Sequence, residues 1–149
     1  MHGRFHMNKG FTLLEVLLTI TVIGFIAAFS VPLARSFLVQ NDLDIAAESL
    51  AASFRRAAAL SQGVSGDINW GVRVQAGGII LFKGTNFAVR DASYDETFDL
   101  SSAITPTGLA EVVFAELTGL PQTTGTTTLT SSLGQVRTVN INSKGMIQY

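Results

Sequence analysis

Between residues 11 and 34 the chain is almost uninterruptedly apolar, yet a single carboxylate, Glu15, sits inside the run in the stretch KGFTLLEV. As a helix those residues would be about 36 Å long, enough to cross a bilayer core. An ionised Glu at such a depth costs a few kcal/mol, and chains keep one there mainly when a specific partner charge compensates it. The apolar run therefore requires lipid or protein around it, and the carboxylate requires a cation.

Arg4 and Lys9 lie just before the run. Basic residues on the short amino-terminal flank place residues 1–10 on the cytoplasmic side and the rest of the chain outside. No small-x-small cleavage site follows cleanly, and the run is longer than the apolar core of an ordinary secretory signal. The chain has 149 residues, one domain's worth, and a formal charge of −1. Removing Arg4 and Lys9 from the ten Lys and Arg leaves eight against eleven Asp and Glu. A mildly acidic product is a poor general binder of nucleic acid, whose affinity rests on clustered cations. There is no cysteine, and both histidines, His2 and His6, precede the run. Without them the chain lacks the commonest general base, metal ligand and activated nucleophile. No phosphate loop, nucleophile elbow or metal motif appears, so no enzyme, cofactor or metal site is expected.

The segment GFTLLEV resembles the amino-terminal signature of type IV pilins and pseudopilins. The resemblance spans about 25 residues and rests on Gly10, Phe11, Thr12, Leu13, Glu15 and Pro32. It implies that a prepilin peptidase cuts after Gly10 and methylates the new terminal residue, Phe11, while the apolar helix is retained. It also implies that Glu15 pairs with the terminal amine of a neighbouring subunit as a filament assembles on an inner-membrane platform. The physics is consistent with that. Cleavage would free an α-amino group, with a pKa of about 7.7 to 8.0 in short peptides, four residues before the carboxylate. Leaving one member of a desolvated pair alone is strongly unfavourable. Two local alternatives stay open: Glu15 bends back to its own terminus, or it stabilises the positive end of its own helix. Pro32 lacks an amide hydrogen and Gly24 weakens the same stretch, so a helix bend or unwinding is expected there.

From residue 43 to 61, Leu43, Ala46, Ala47, Leu50, Ala51, Phe54, Ala57, Ala58 and Ser61 recur at spacings of three and four, one buried stripe of an amphipathic helix that stops near Gly63 or Gly66. Asp42, Asp44, Glu48, Arg55 and Arg56 fall mostly on the other face. An unbroken helix from residue 11 to 62 would be about 78 Å long, so its first half is expected to protrude from a domain of this size. Beyond Gly66 the texture is β. Residues 68–75 and 79–83 read as a hairpin across Ala76, Gly77 and Gly78, with further strands at 88–90, 97–100, 112–115, 126–130, 136–141 and 146–149. Residues 117–125 read as a surface connection. The expected fold is α+β: a long amino-terminal helix, transmembrane then amphipathic, packed on a small antiparallel sheet domain in a roll. Its expected parts are a leader (1–10), a transmembrane assembly helix (11–34), an amphipathic half (35–62) and a β-rich head (63–149). The strand pattern around WGV, ILFKG and TLTSSLGQVRTVNINSKGMI is also similar to the H-type pseudopilins of type II secretion and the related T-type fimbrial minor pilins.

Other constellations have plainer readings. Asp91, Asp95, Glu96 and Asp99 crowd one stretch, but the spacing is not that of an EF-hand, and a solvated acidic loop is expected. Arg73, Arg90, Arg137 and Lys144 would suit DNA contact if the strands gathered them into one patch. Trp70, Phe82 and Phe87 read as core. The expected partners are thus the prepilin peptidase, other pilin or pseudopilin subunits, the assembly platform and, before assembly, membrane lipid, with nucleic acid a lesser alternative. A permanently signal-anchored extracytoplasmic binding domain is the competing class.

Overall fold

The computed structural model describes residues 10–63 and 68–149, with side chains described throughout except at 29–35. Helix α1 (Leu13–Gln62) is followed by β1 (Trp70–Gln75), β2 (Gly78–Lys83), a 3-10 turn (Phe87–Val89), β3 (Asp91–Asp99), β4 (Ile104–Gly108), β5 (Glu111–Phe114), β6 (Gly125–Ser131), β7 (Val136–Ile141) and β8 (Ile147–Gln148). The fold is α+β, a helix packed on antiparallel sheets. The strands form two sheets of four rather than one, ordered β3-β2-β1-β5 and β4-β6-β7-β8. The chain divides into two compact units, one ending at Ser36 and the other spanning Phe37–Tyr149.

In the second unit the helical spacing of the sequence becomes a packing surface. Leu43, Ala46, Ala47, Leu50, Ala51, Phe54 and Ala57 are buried, and Asp42, Asp44, Glu48, Arg55 and Arg56 are exposed. The buried stripe meets Val72, Val74, Ile79, Leu81, Val112 and Phe114 of the first sheet, and Ile104, Leu129, Val139 and Ile141 of the second. Four alanines in that stripe let strands approach the helix closely, while Leu43, Leu50 and Phe54 fill the space between. Two ion pairs flank the contact: Arg56 to Glu96 of β3 at 2.6 Å, and Asp44 to Arg137 of β7 at 2.7 Å. All four side chains are substantially exposed, so each pair contributes at most about 1 kcal/mol. Apolar burial holds the unit together.

The helix stops where Gly63 was expected to stop it. A segment distant in sequence completes its end: the Leu117 amide donates to the Ser61 carbonyl at 2.8 Å, and Gln62 Nε2 donates to the Thr118 carbonyl at 3.1 Å. The Ser61 hydroxyl accepts from the Trp70 amide at 3.0 Å, carrying the chain into β1. Thus residues 117–125 are a connection, as expected, but their first part is anchored on the helix. Gly119 is buried there with φ +62, and a Cβ would stand 2.7 Å from the Ala58 carbonyl oxygen.

Several expectations differ from the structure. The β1–β2 turn is two residues, Ala76 and Gly77 (φ +88), and Gly78 already pairs with Gln75. Residues 88–90 are not a strand. The Asn86 side chain accepts hydrogen bonds from the Ala88 and Val89 amides, which bends the backbone into the 3-10 turn. The acidic stretch is not a loop but most of β3, an edge strand whose side chains are exposed or half-buried, and charge on an edge discourages strand addition. Strand β4 was not anticipated. Its sequence ITPTG lacks a clear alternation and contains a proline, which an edge position tolerates. Phe82 is fully buried but outside the helix-facing core, with its ring over Gly71, where a Cβ would lie 2.4 Å from the ring tip.

Candidate functional site

Unit one begins with Gly10, Phe11 and Thr12 outside the helix and Leu13 within it. The first helical turn is organised by Thr12. Its hydroxyl accepts from the Glu15 amide at 3.3 Å, and its carbonyl accepts from the Glu15 and Val16 amides at 3.1 and 3.2 Å. Thr12 is therefore an N-cap, and Thr-x-x-Glu has the spacing of a capping box. That spacing is legible in the sequence and was the signal that sequence reading passed over. Its effect is to place Glu15 in the first turn, where the helix end carries partial positive charge. Glu15 is exposed and belongs to none of the ion pairs among the described residues. Thr12→Ala is expected to weaken the helix start by about 1 kcal/mol. Hydrogen exchange at the Glu15 and Val16 amides of the full chain in micelles should then speed up by about fivefold.

Beyond the cap every residue with a described side chain up to position 28 is exposed, and the exposed set is apolar on all sides of the helix. Phe11 is 82% exposed and Leu13 80%. A helix apolar all round is one meant to be surrounded. Its two threonine hydroxyls at 19 and 21 bond back to the helix's own backbone. The Thr19 hydroxyl donates to the Val16 carbonyl at 2.8 Å, and the Thr21 hydroxyl to the Leu17 carbonyl at 2.7 Å, so neither presents an unmet donor to an apolar environment. Gly24 has open space around it, with nothing within 4 Å of a hypothetical Cβ, so no contact among the described residues requires a glycine there. α1 runs through position 32 without interruption, while the side chain of Pro32 lies outside the described residues, as does the leader segment 1–9 with Arg4 and Lys9. Among the described residues no helix is long and apolar enough to cross a membrane.

The four basic residues singled out for DNA contact do not gather. Arg73 and Arg90 converge on the Phe87 ring, at 5.6 and 3.7 Å from its centroid, but Arg137 belongs to the other sheet and Lys144 to the turn before β8. The three arginines are each paired, with Glu111 at 3.1 Å, Asp95 at 2.8 Å and Asp44 at 2.7 Å. Glu111 also accepts from the Phe87 amide at 3.0 Å, so this cluster fastens the 3-10 turn to the sheet. Asp91 is occupied locally. Hydrogen bonds from the Ser93 hydroxyl and amide, with Lys83 nearby, hold its carboxyl below the usual range. Among the described residues no group of acidic or histidine side chains is arranged to hold a metal.

Residues 5–31 match the prokaryotic N-terminal methylation motif. This is a prepilin-type signal. It covers under a fifth of the chain and includes Gly10, Phe11 and Glu15. It supports a pilin-like or pseudopilin-like chain in the broad sense, and it implies processing by a prepilin peptidase and assembly with other pilins. None of the curated proteins and none of the solved structures matches the chain.

Proposed function

We propose that this chain is a structural subunit whose chemistry is assembly. A prepilin peptidase cuts after Gly10 and methylates the amine of Phe11. The segment 11–34 holds the subunit in the cytoplasmic membrane, single-pass, with the second unit on the outer side. The same helix then leaves lipid to pack among sister helices on an inner-membrane platform, in a type IV pilus or a secretion pseudopilus. The observation that carries this reading is Glu15. It is the fifth residue past the Gly10–Phe11 bond, in the first turn that Thr12 caps, on a stretch of helix whose side chains up to position 28 are exposed and almost all apolar. In this reading Gly24 and Pro32 are the places where the helix loosens as copies pack.

Within this class, the cysteine-free head and its strand pattern favour the H-type or T-type group. In the competing reading, a permanently anchored binding domain, Glu15 serves only its own helix end. Intact-mass measurement of the chain recovered from its host membranes separates the two. The expected product lacks residues 1–10 and carries one added methyl at Phe11. An uncut chain would sink the assembly reading.

A further inference from the structure

Leu117 combines two unfavourable choices. Its φ is +65, the one positive value among the described non-glycine residues, and its side chain is 67% exposed. The conformation itself has a use, because it lets the Leu117 amide cap the Ser61 carbonyl at the end of α1. Glycine would serve that backbone with less strain, as Gly119 does two residues on (φ +62). What glycine would not supply is the projecting side chain. The surrounding loop is firmly held: the Glu116 amide donates to Asn69 Oδ1 at 2.9 Å, the Gly119 amide to the Ala115 carbonyl at 2.8 Å, and Gln62 Nε2 to the Thr118 carbonyl. A strained, exposed, pre-organised apolar side chain is suited to insertion into a pocket.

The same unit contains such a pocket. Ser49, Ala52, Ser53 and Arg56 of α1 and Phe98 of β3 line a cavity of about 150 Å³, mostly apolar, with room for a leucine side chain. Its rim carries a cation, Arg56, which is exposed and meets Glu96 through one nitrogen, leaving other donors available. Next to Leu117 on the loop is Glu116, exposed and in no ion pair among the described residues. Knob and hole match in size, in polarity and in the charge beside each.

Resting on the assembly reading above, we infer that Leu117 of one copy inserts between α1 and β3 of the next copy, with Glu116 approaching Arg56. Knob and hole are different surfaces of one chain, so the contact is heterologous and propagates rather than closing on a pair. The Leu117 loop is fixed at Ser61 and the pocket is centred near Ser53. Copies joined this way with parallel helices are staggered by about 12 Å along α1.

The absence of cysteine makes the test clean. In the native host, full-length chain carrying both Leu117→Cys and Ala52→Cys is treated with a mild oxidant. Recovery of the native chain in the sheared filament fraction of the same cells reports assembly itself. The expected result is a ladder of covalent multimers beyond the dimer for the double variant, with each single head variant giving dimers at most. If the native chain is recovered in filaments but the double variant gives no ladder, this contact is overturned and the assembly reading stands. If the native chain reaches no filament fraction, both are overturned. Leu117→Gly separates a docking role from a structural one. It should raise the thermal midpoint of the full chain in detergent by about 3 °C while weakening head-to-head association by tenfold or more. A lowered midpoint with association unchanged would mean that the leucine serves only its own fold.

Discussion

Glu15→Gln is expected to yield a chain that is cut after Gly10 and methylated normally, yet enters filaments at least about a hundredfold less than the native chain. The substitution keeps size and hydrogen-bonding capacity and removes only the charge. In the assembled state the Phe11 amine of the neighbouring copy would then be buried in apolar surroundings with no counter-ion. Breaking a buried pair from one side costs about 3 to 5 kcal/mol, which corresponds to a loss of roughly two to four powers of ten. Thr12 remains able to cap the helix in the variant, because its hydroxyl accepts from the backbone amide of residue 15 and not from the side chain. The defect therefore belongs to the missing charge rather than to a frayed helix. The ratio of sheared filament to cell-bound subunit measures it, and normal incorporation of the Gln variant would leave intermolecular pairing without support.

Phe54→Ala should be the most damaging substitution to the second unit. Phe54 is 1% exposed at the centre of the helical stripe, and its ring lies 6.3 Å from that of Phe114, tilted by 58°. Both sheets pack about that part of the helix, so neither can collapse into the vacancy without giving up contacts elsewhere. The expected loss is about 3 to 5 kcal/mol, a large part of the stability of any domain this size. The thermal midpoint of the full chain in detergent should fall by about 10 to 20 °C. Cleavage at Gly10 should persist, since the methylation motif ends at residue 31 and Phe54 lies outside it. A midpoint lowered by less than about 3 °C would show that the core is centred elsewhere.

What the sequence revealed and what it hid follow from how local each feature is. The stripe from Leu43 to Ser61 was readable because helical periodicity is a property of nearby residues, and it is buried as read except at Ala58, which is half-buried. β7 was readable to the residue, because Val136 to Ile141 is bounded by turn glycines at 134 and 145 with positive φ. The partition into two sheets was hidden, since strand pairing is decided by contacts between distant segments: β1 takes β5 as its neighbour while β4, between them in sequence, joins β6. β3 was read short because four acids suggested a loop, whereas an exposed edge strand accommodates charge on its surface. The 3-10 turn at Phe87–Val89 was hidden by one side chain, Asn86, whose hydrogen bonds outweigh the β preference of the residues after it. At the candidate site, Gly10, Phe11 and Glu15 were legible as chemistry. The cap that positions Glu15 was present in the letters as Thr-x-x-Glu, while the seating of the 117 loop on the helix end depends on a contact 56 residues away in sequence.

The most direct test labels two pools of the chain, one with ¹⁵N at the Phe11 amine and one with ¹³C at the Glu15 side-chain carboxyl, and co-assembles them. Solid-state NMR of the mixed filaments then reads the contact between copies. The account predicts a nitrogen-to-carboxyl dipolar coupling that corresponds to a separation of about 4 Å between differently labelled molecules. A coupling found only when both labels sit on one chain would contradict it, and Glu15 would then serve nothing beyond its own helix end.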